Sequence, residues 1–284
     1  MNTIAHLGQT TIEYRTLGQG AAVLVLNGGH TNCNSPVGHA QFFLREGYQL
    51  IIPSRPGYGK TPGSSGKSAE AFADALVSLL DELHLEQVIV VGISGGGPTA
   101  LQLAGRHPER VSKLILQNAI TGGKFSGFGI RLGSHLVFNR WVEGWTWAAF
   151  RSFARRSPLR VLKVMMGSLS SLNPAQVVAT MSEEQRQGAL KMLLASRSGS
   201  GFLHDFNHHC GDLRRITAPT LVIASRYDGS VDISHANYAA DHIPNAEFFV
   251  SPAESHLMWF SAYNAAIEAK MRAFLQDSGT ASSK

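Results

Sequence analysis

Ser94 sits among glycines in the run Val88-Ile89-Val90-Val91-Gly92-Ile93-Ser94-Gly95-Gly96-Gly97-Pro98, a spacing that suits a nucleophile. The run reads as a short buried strand, a turn of glycines around one serine, and a helix starting near Pro98. Gly-x-Ser-x-Gly in that setting is a nucleophile elbow, a sharp strand-to-helix turn that lifts a hydroxyl out of a sheet. Side chains at Gly92 and Gly96 would collide where strand and helix nearly touch. The helix that follows points its N–H groups toward the serine. The five letters alone are weak, since chance yields them about 0.2 times in a chain of this composition. The Val-rich strand before them and the helical Thr99–Ala104 after them carry the reading. A dinucleotide fingerprint does not fit glycines at 92, 95, 96 and 97.

A serine is a poor nucleophile until a base takes its proton, and the base works best when a carboxylate fixes its tautomer. Two downstream stretches offer these groups. Thr220–Ala224 reads as a strand leading to Ser225-Arg226-Tyr227-Asp228-Gly229, and the following strand leads to Ser251-Pro252-Ala253-Glu254-Ser255-His256. Asp228 and His256 therefore fall past the C-terminal ends of strands, on the sheet edge that carries Ser94, where open α/β sheets build sites. Asp232, four residues on, is the rival acid.

The elements that must position these groups alternate between strand and helix. Thr10–Leu17, Ala22–Leu26, Gln49–Ile52, Gln87–Val91, Lys113–Gln117, Thr220–Ala224 and Glu247–Val250 read as strands. Ala69–His84 carries the apolar stripe Phe72, Leu76, Leu79, Leu80 and Leu83 of a surface helix, and Ser255–Gln276 is similar. The fold class is α/β: a mostly parallel central sheet with helices on both faces. From 121 to 205 the rhythm gives way to aromatic and basic helical segments. The expected division is therefore a core of 1–120 and 206–277, a helical cap inserted at 121–205, and a flexible tail at 278–284.

Size and charge bound the rest. The chain has 284 residues, 44% hydrophobic and 16% charged, enough for one sizeable core. No apolar run approaches the roughly 20 residues of a membrane span. The N-terminus has no basic start or apolar stretch of a secretory signal, and two lone cysteines, Cys33 and Cys210, suit a reducing compartment, so a cytoplasmic location is expected. Residues 121–206 hold eleven Lys and Arg against four Asp and Glu, a net of +7 in a chain of +5. That is read as a solvated helical surface, with no stable membrane association and no nucleic-acid platform. A homodimer stays open.

The chain resembles the α/β-hydrolase superfamily over nearly its whole length. Beyond the elbow, the match is carried by Ser54-Arg55-Pro56-Gly57-Tyr58-Gly59 (serine where the family has aspartate), His107-Pro108-Glu109-Arg110-Val111 and Ala218-Pro219-Thr220-Leu221-Val222-Ile223 before Asp228. Ile243-Pro244-Asn245-Ala246-Glu247 before His256 completes it. The resemblance implies Ser94 as nucleophile, His256 as general base and then acid, and Asp228 as the orienting carboxylate; Asp232 stands where relatives have proline. It implies an oxyanion hole from the N–H groups of Gly95 and Gly29, the latter in Asn27-Gly28-Gly29-His30, where Asn27 replaces the usual histidine. His30 of that loop and Trp141 and Trp145 of the cap are the expected substrate contacts.

The implied reaction is two-step acyl transfer on a small or medium carboxylic ester, a small-molecule substrate, with no cofactor and no metal. Serine at the elbow argues against dehalogenases and epoxide hydrolases. C–C, amide, lactone and N-terminal-proline hydrolysis stay open, the last weakened by Gly95, as does a non-enzymatic ligand receptor or scaffold. Two decoys fall away. Gly59-Lys60-Thr61 lacks the first glycine of a phosphate loop. His204, His208 and His209 near Cys210 have Asp205 where zinc chemistry wants glutamate, so a hinge helix with His204 and His208 on one face is expected.

Overall fold

The computed structural model describes residues 2–122, 138 and 141–277. Eight strands form one sheet: β1 (Asn2–Leu7), β2 (Thr10–Leu17), β3 (Ala22–Leu26), β4 (Gln49–Pro53), β5 (Val88–Ile93), β6 (Val111–Gln117), β7 (Thr220–Ser225) and β8 (Ala246–Ser251). Their order is β1-β2-β4-β3-β5-β6-β7-β8. β1, β2 and β4 pair antiparallel, and β4, β3 and β5 to β8 pair parallel. β1 was not read in the sequence, because its only buried side chain is Ala5 and it shows no apolar alternation.

The parallel strands are apolar on both faces, and period-two alternation divides them between two cores. Val23, Val25, Leu50, Ile52, Ile89 and Val91 pack toward α1 (Ala40–Arg45) and α10 (Asn264–Gln276). Leu24, Leu26, Ile51, Val88 and Val90 pack toward α2 (Ala69–Glu82), α3 (Gly97–Arg106) and α9 (Ile233–His242). α2 starts at Ser68, whose side chain accepts from Ala71 N, and buries the stripe Phe72, Leu76, Leu79 and Leu80. It stops two residues short of the expected His84, which adopts a left-handed backbone at φ 54°.

Leaving β3 the chain turns toward β4, and leaving β5 it turns toward β6, so the two loops diverge at the β3–β5 boundary. That divergence is a topological switch point, the crevice where open α/β sheets bind ligands. Leu26 is in register with Gly92, which sets the loop after β3 beside the elbow after β5.

Among the described residues, five α-helices lie between β6 and β7: α4 (Glu143–Arg156), α5 (Pro158–Leu169), α6 (Pro174–Thr180), α7 (Glu183–Ala195) and α8 (Gly201–His204). Proline opens α5 and α6, Asn173 caps α6, and a capping box of Ser182 and Gln185 starts α7. Their apolar faces form a third cluster around Trp147, Val161, Leu162, Met166 and Leu193, which also takes in Leu257 beside His256. The remaining cap residues of the expected 121–205, at 123–137 and 139–140, lie outside the described residues, as does the tail 278–284.

Two other expected helices are also shorter than the sequence suggests. Within Ser255–Gln276 only α10 is α-helical, after a single 3-10 turn at Met258–Phe260, and the preceding chain bends at residues 254–256, where it presents His256. α8 ends at His204 and a 3-10 turn follows, so His204 and His208 do not share a helix face; their rings meet edge to face at 5.4 Å. Among the described residues, no helix is long and apolar enough to cross a membrane.

Candidate active site

Ser94 directly follows β5 with φ 50°, a left-handed conformation that costs a non-glycine residue about 1–3 kcal/mol. The surrounding packing enforces it. A Cβ on Gly96 would lie 2.0 Å from the Leu26 carbonyl, and one on Gly92 2.7 Å from Ala100 Cβ. Only glycine lets the helix of the elbow approach the sheet this closely. Ser94 is left half-exposed at the floor of a cavity of about 670 Å³.

His256 also lines that cavity. Its Nδ1 lies 2.6 Å from Asp228 Oδ2, and the Asp228 side chain is 1% exposed. Asp228 Oδ1 accepts from the Ser230 and Val231 N–H groups at 2.7 and 2.9 Å. With Nδ1 facing the carboxylate, the proton-accepting nitrogen of the neutral ring is Nε2. The histidine backbone is fixed as firmly: its N–H donates to Leu169 O at 2.7 Å and its carbonyl accepts from Asn118 Nδ2 at 2.8 Å. Asn118 Oδ1 accepts from Ser225 N at the end of β7. One amide side chain thus ties the acid-bearing strand to the histidine loop. Asp232 is turned away and caps α9 by accepting from Ser234 N at 2.8 Å.

The loop after β3 closes one wall. A Cβ built on Gly28 would stand 3.0 Å from Ser94 Cβ, and one on Gly95 would stand 3.6 Å from Gly29 N. The Gly29 and Gly95 backbones therefore face each other beside the serine. Beneath the loop lies Arg55, fully buried. Its Nε donates to Asn27 O at 2.8 Å, Nη2 to Gly28 O at 3.0 Å, and Nη1 and Nη2 to the two oxygens of Asp205 at 2.5 and 2.9 Å. Tyr58 Oη donates to Asp205 Oδ2 at 2.7 Å. Burial alone would lower the Arg55 pKa, but Asp205 holds it above its usual value, so the guanidinium stays charged.

His30 lines the cavity. Its Nδ1 lies 2.7 Å from Ser198 Oγ, which accepts from Trp147 Nε1 at 2.8 Å. Its ring stacks on Phe202 at 4.0 Å. Burial lowers its pKa to about 4, so it is neutral near pH 7. The other two expected contacts are corrected. Trp141 and Trp145 are 74% and 79% exposed and do not line the cavity. Trp147, two residues beyond Trp145 on the opposite side of α4, takes that place. The wall is otherwise mostly apolar, including Phe138, Phe150, Val161, Met165, Leu193 and Phe206.

Sequence reasoning missed Arg55, Tyr58, Asn118, Trp147, Ser198 and Asp205. Asp205 was set aside with the histidine decoy, and nothing local in the sequence joins it to Arg55, 150 positions away. Among the described residues, no group of three His, Cys, Asp or Glu is placed to hold a metal. Cys33 and Cys210 are free thiols, and burial pushes Cys210 up to about 12.

Comparison with known proteins bears on this arrangement. The family model described as alpha/beta hydrolase fold matches residues 21–262. An uncharacterized hydrolase of Bacillus subtilis, YcgS, is 36% identical over 94% of this chain and 95% of its own. A 2-hydroxy-6-oxononadienedioate/2-hydroxy-6-oxononatrienedioate hydrolase of Paraburkholderia phymatum is 30% identical over 84% of this chain and 82% of its own. Among solved structures, an alpha/beta hydrolase fold protein from Nakamurella multipartita superposes with a TM-score of 0.82, at 25% identity over 97% of this chain and 99% of that one. An esterase from Exiguobacterium antarcticum shares the fold, with a TM-score of 0.67 at 21% identity over 97% of this chain and 99% of that one.

Proposed function

The chain is a hydrolase of the α/β-hydrolase fold family, and within it we propose a serine hydrolase acting on small or medium uncharged carboxylic esters. The observation that carries this reading is the 2.6 Å approach of His256 Nδ1 to the buried Asp228 carboxylate, with His256 and Ser94 on the wall of one cavity. Ser94 Oγ attacks the ester carbonyl as His256 Nε2 takes its proton. The Gly29 and Gly95 N–H groups receive the developing oxyanion. His256 then passes the proton to the leaving alkoxide. In the second step it draws a proton from water, the hydroxide formed attacks the acyl-enzyme, and as the acid leaves His256 returns the proton to Ser94 Oγ.

The apolar wall supports an uncharged acyl chain, and the helices between β6 and β7 serve as its cap. A second reading, the C–C alternative, rests on the 30% identity to the Paraburkholderia 2-hydroxy-6-oxononadienedioate/2-hydroxy-6-oxononatrienedioate hydrolase. The relative's substrate carries two carboxylates by name. The described residues that line this cavity include neither lysine nor arginine, which favours the ester.

The test is hydrolysis of p-nitrophenyl esters of graded chain length, wild type beside Ser94→Ala, with fluorophosphonate labelling. Turnover and labelling that both vanish in Ser94→Ala are expected. Labelling without ester turnover would shift the assignment to the C–C reading. Folded protein with neither would overturn it.

A further inference from the structure

Arg55 spends four donor contacts on three acceptor groups, and two of them are the consecutive carbonyls of Asn27 and Gly28. The Gly28 carbonyl and the Gly29 N–H belong to one peptide unit. No cis peptide bond is present among the described residues, so in this planar trans unit the two groups point in opposite directions. Holding Gly28 O against Nη2 therefore aims Gly29 N–H away from that guanidinium nitrogen, and a Cβ built on Gly95 would stand 3.6 Å from both Gly29 N and Arg55 Nη2, so the pair of glycines and the guanidinium meet at one point. A glycine-glycine pair has little stiffness of its own. The orientation of this peptide must come from what its carbonyl touches.

Arg55 is in turn fixed from the helical insertion. Asp205 follows α8, in the segment that returns the chain toward β7. Both its oxygens are committed, to Nη1, Nη2 and Tyr58 Oη. Its side chain is 3% exposed and that of Arg55 1%. A second bridge runs in parallel: Ser200 N and Gly201 N both donate to Gly57 O at 3.1 Å. The guanidinium cannot shift toward solvent, and its planar fork matches the carboxylate with two parallel bonds.

We propose that Arg55 is a positioning residue that sets the oxyanion donor Gly29, and that Asp205 sets Arg55, so that the insertion controls the oxyanion hole as well as covering the substrate. This rests on the serine-hydrolase reading. Arg55 reaches no reacting atom; it acts only through the Gly28–Gly29 peptide. Lysine at 55 would keep the charge and lose the fork, because one ammonium cannot span two carbonyls and a carboxylate in fixed directions.

The experiment compares Arg55→Lys with wild type, using a p-nitrophenyl ester and a short-chain alkyl trifluoromethyl ketone. The ketone adds to the serine and forms a tetrahedral oxyanion. Loss of one oxyanion donor lowers kcat by about a hundredfold. Arg55→Lys is expected to lower kcat by about that factor, to leave KM within about twofold, and to raise the ketone Ki in parallel with the fall in kcat/KM. Tyr58→Phe removes one bond to Asp205 but leaves the ion pair, and should show the same pattern several-fold weaker. It serves as the test if Arg55→Lys does not fold. Wild-type kcat and Ki in a folded Arg55→Lys would overturn the proposal, as would a rise in KM alone. Absence of turnover and of ketone inhibition in the wild type would instead sink the serine-hydrolase reading.

Discussion

His256 Nδ1 meets Asp228 Oδ2 at 2.6 Å, while Asp232, four residues further on, is occupied in capping α9 through Ser234 N. The two carboxylates of one loop thus carry separate duties. Asp228→Ala should lower kcat for ester hydrolysis by about a thousandfold or more, since the imidazole loses its fixed tautomer and the imidazolium its counter-charge. Asp232→Ala should cost about 1 kcal/mol as a lost N-cap and leave kcat unchanged. Steady-state kinetics and urea unfolding of both variants check the division.

Glycines at 28 and 96 should fail in different ways. A Cβ at Gly96 would sit 2.0 Å from a backbone carbonyl of β3, a clash that no rotamer relieves. Gly96→Ala should therefore unfold the domain or lower its stability by several kcal/mol. A Cβ at Gly28 would sit 3.0 Å from Ser94 Cβ, tight but adjustable. Gly28→Ala should fold and lose most of its activity. Circular dichroism melts beside kinetics separate the two outcomes.

Substrate size should respond to Trp147 and not to Trp145. Trp147 is buried against the cavity, while Trp145 is 79% exposed. Trp147→Ala should move the preferred p-nitrophenyl ester toward longer acyl chains and release Ser198 from its indole bond. Trp145→Ala should leave the chain-length profile as it is. A profile that moves with Trp145 alone would restore the sequence-based assignment.

Acid should destabilise the fold through His208. Its side chain is 2% exposed, neither ring nitrogen has a hydrogen-bond partner among the described residues, and burial lowers its pKa to about 4 from 6.5. Asp205, facing it at 3.6 Å, and Glu70 oppose that shift, while Arg55 and His204 add to it. Between pH 6.5 and 4 the unfolded chain binds this proton and the folded chain does not, so stability falls as pH falls through that window. The loss is on the order of 3 kcal/mol by pH 4. His208→Leu should flatten this slope in urea unfolding run from pH 7 to 4, whatever it does to stability at pH 7.

The fold was legible because buried parallel strands are written as continuous Val, Ile and Leu runs between turn residues. The elbow was legible because steric demands force glycine at fixed places around Ser94. Asp228 and His256 could be found because each follows a recognisable strand. What stayed hidden depends on contacts between distant segments. Arg55 meets Asp205 across 150 positions, and Asn118 meets His256 across 138. Helix phase misplaced the tryptophans. Aromatic residues two apart on a helix face different ways, and the residues alone do not say which one turns inward.

The Leu169 carbonyl accepts from both His256 N and Gly229 N, Ser171 N donates to Tyr227 O, and the Ser170 hydroxyl donates to Glu254 O. The tip of α5 is in this way spliced into the loops that carry the acid and the histidine. In engineering terms, the helical insertion is not an interchangeable module. A chimera that swapped it at the sequence boundaries would discard part of the scaffold of the proposed catalytic groups along with the walls of the cavity. The graft that preserves turnover is one that keeps residues 169–171 of the recipient and exchanges only the helices on either side.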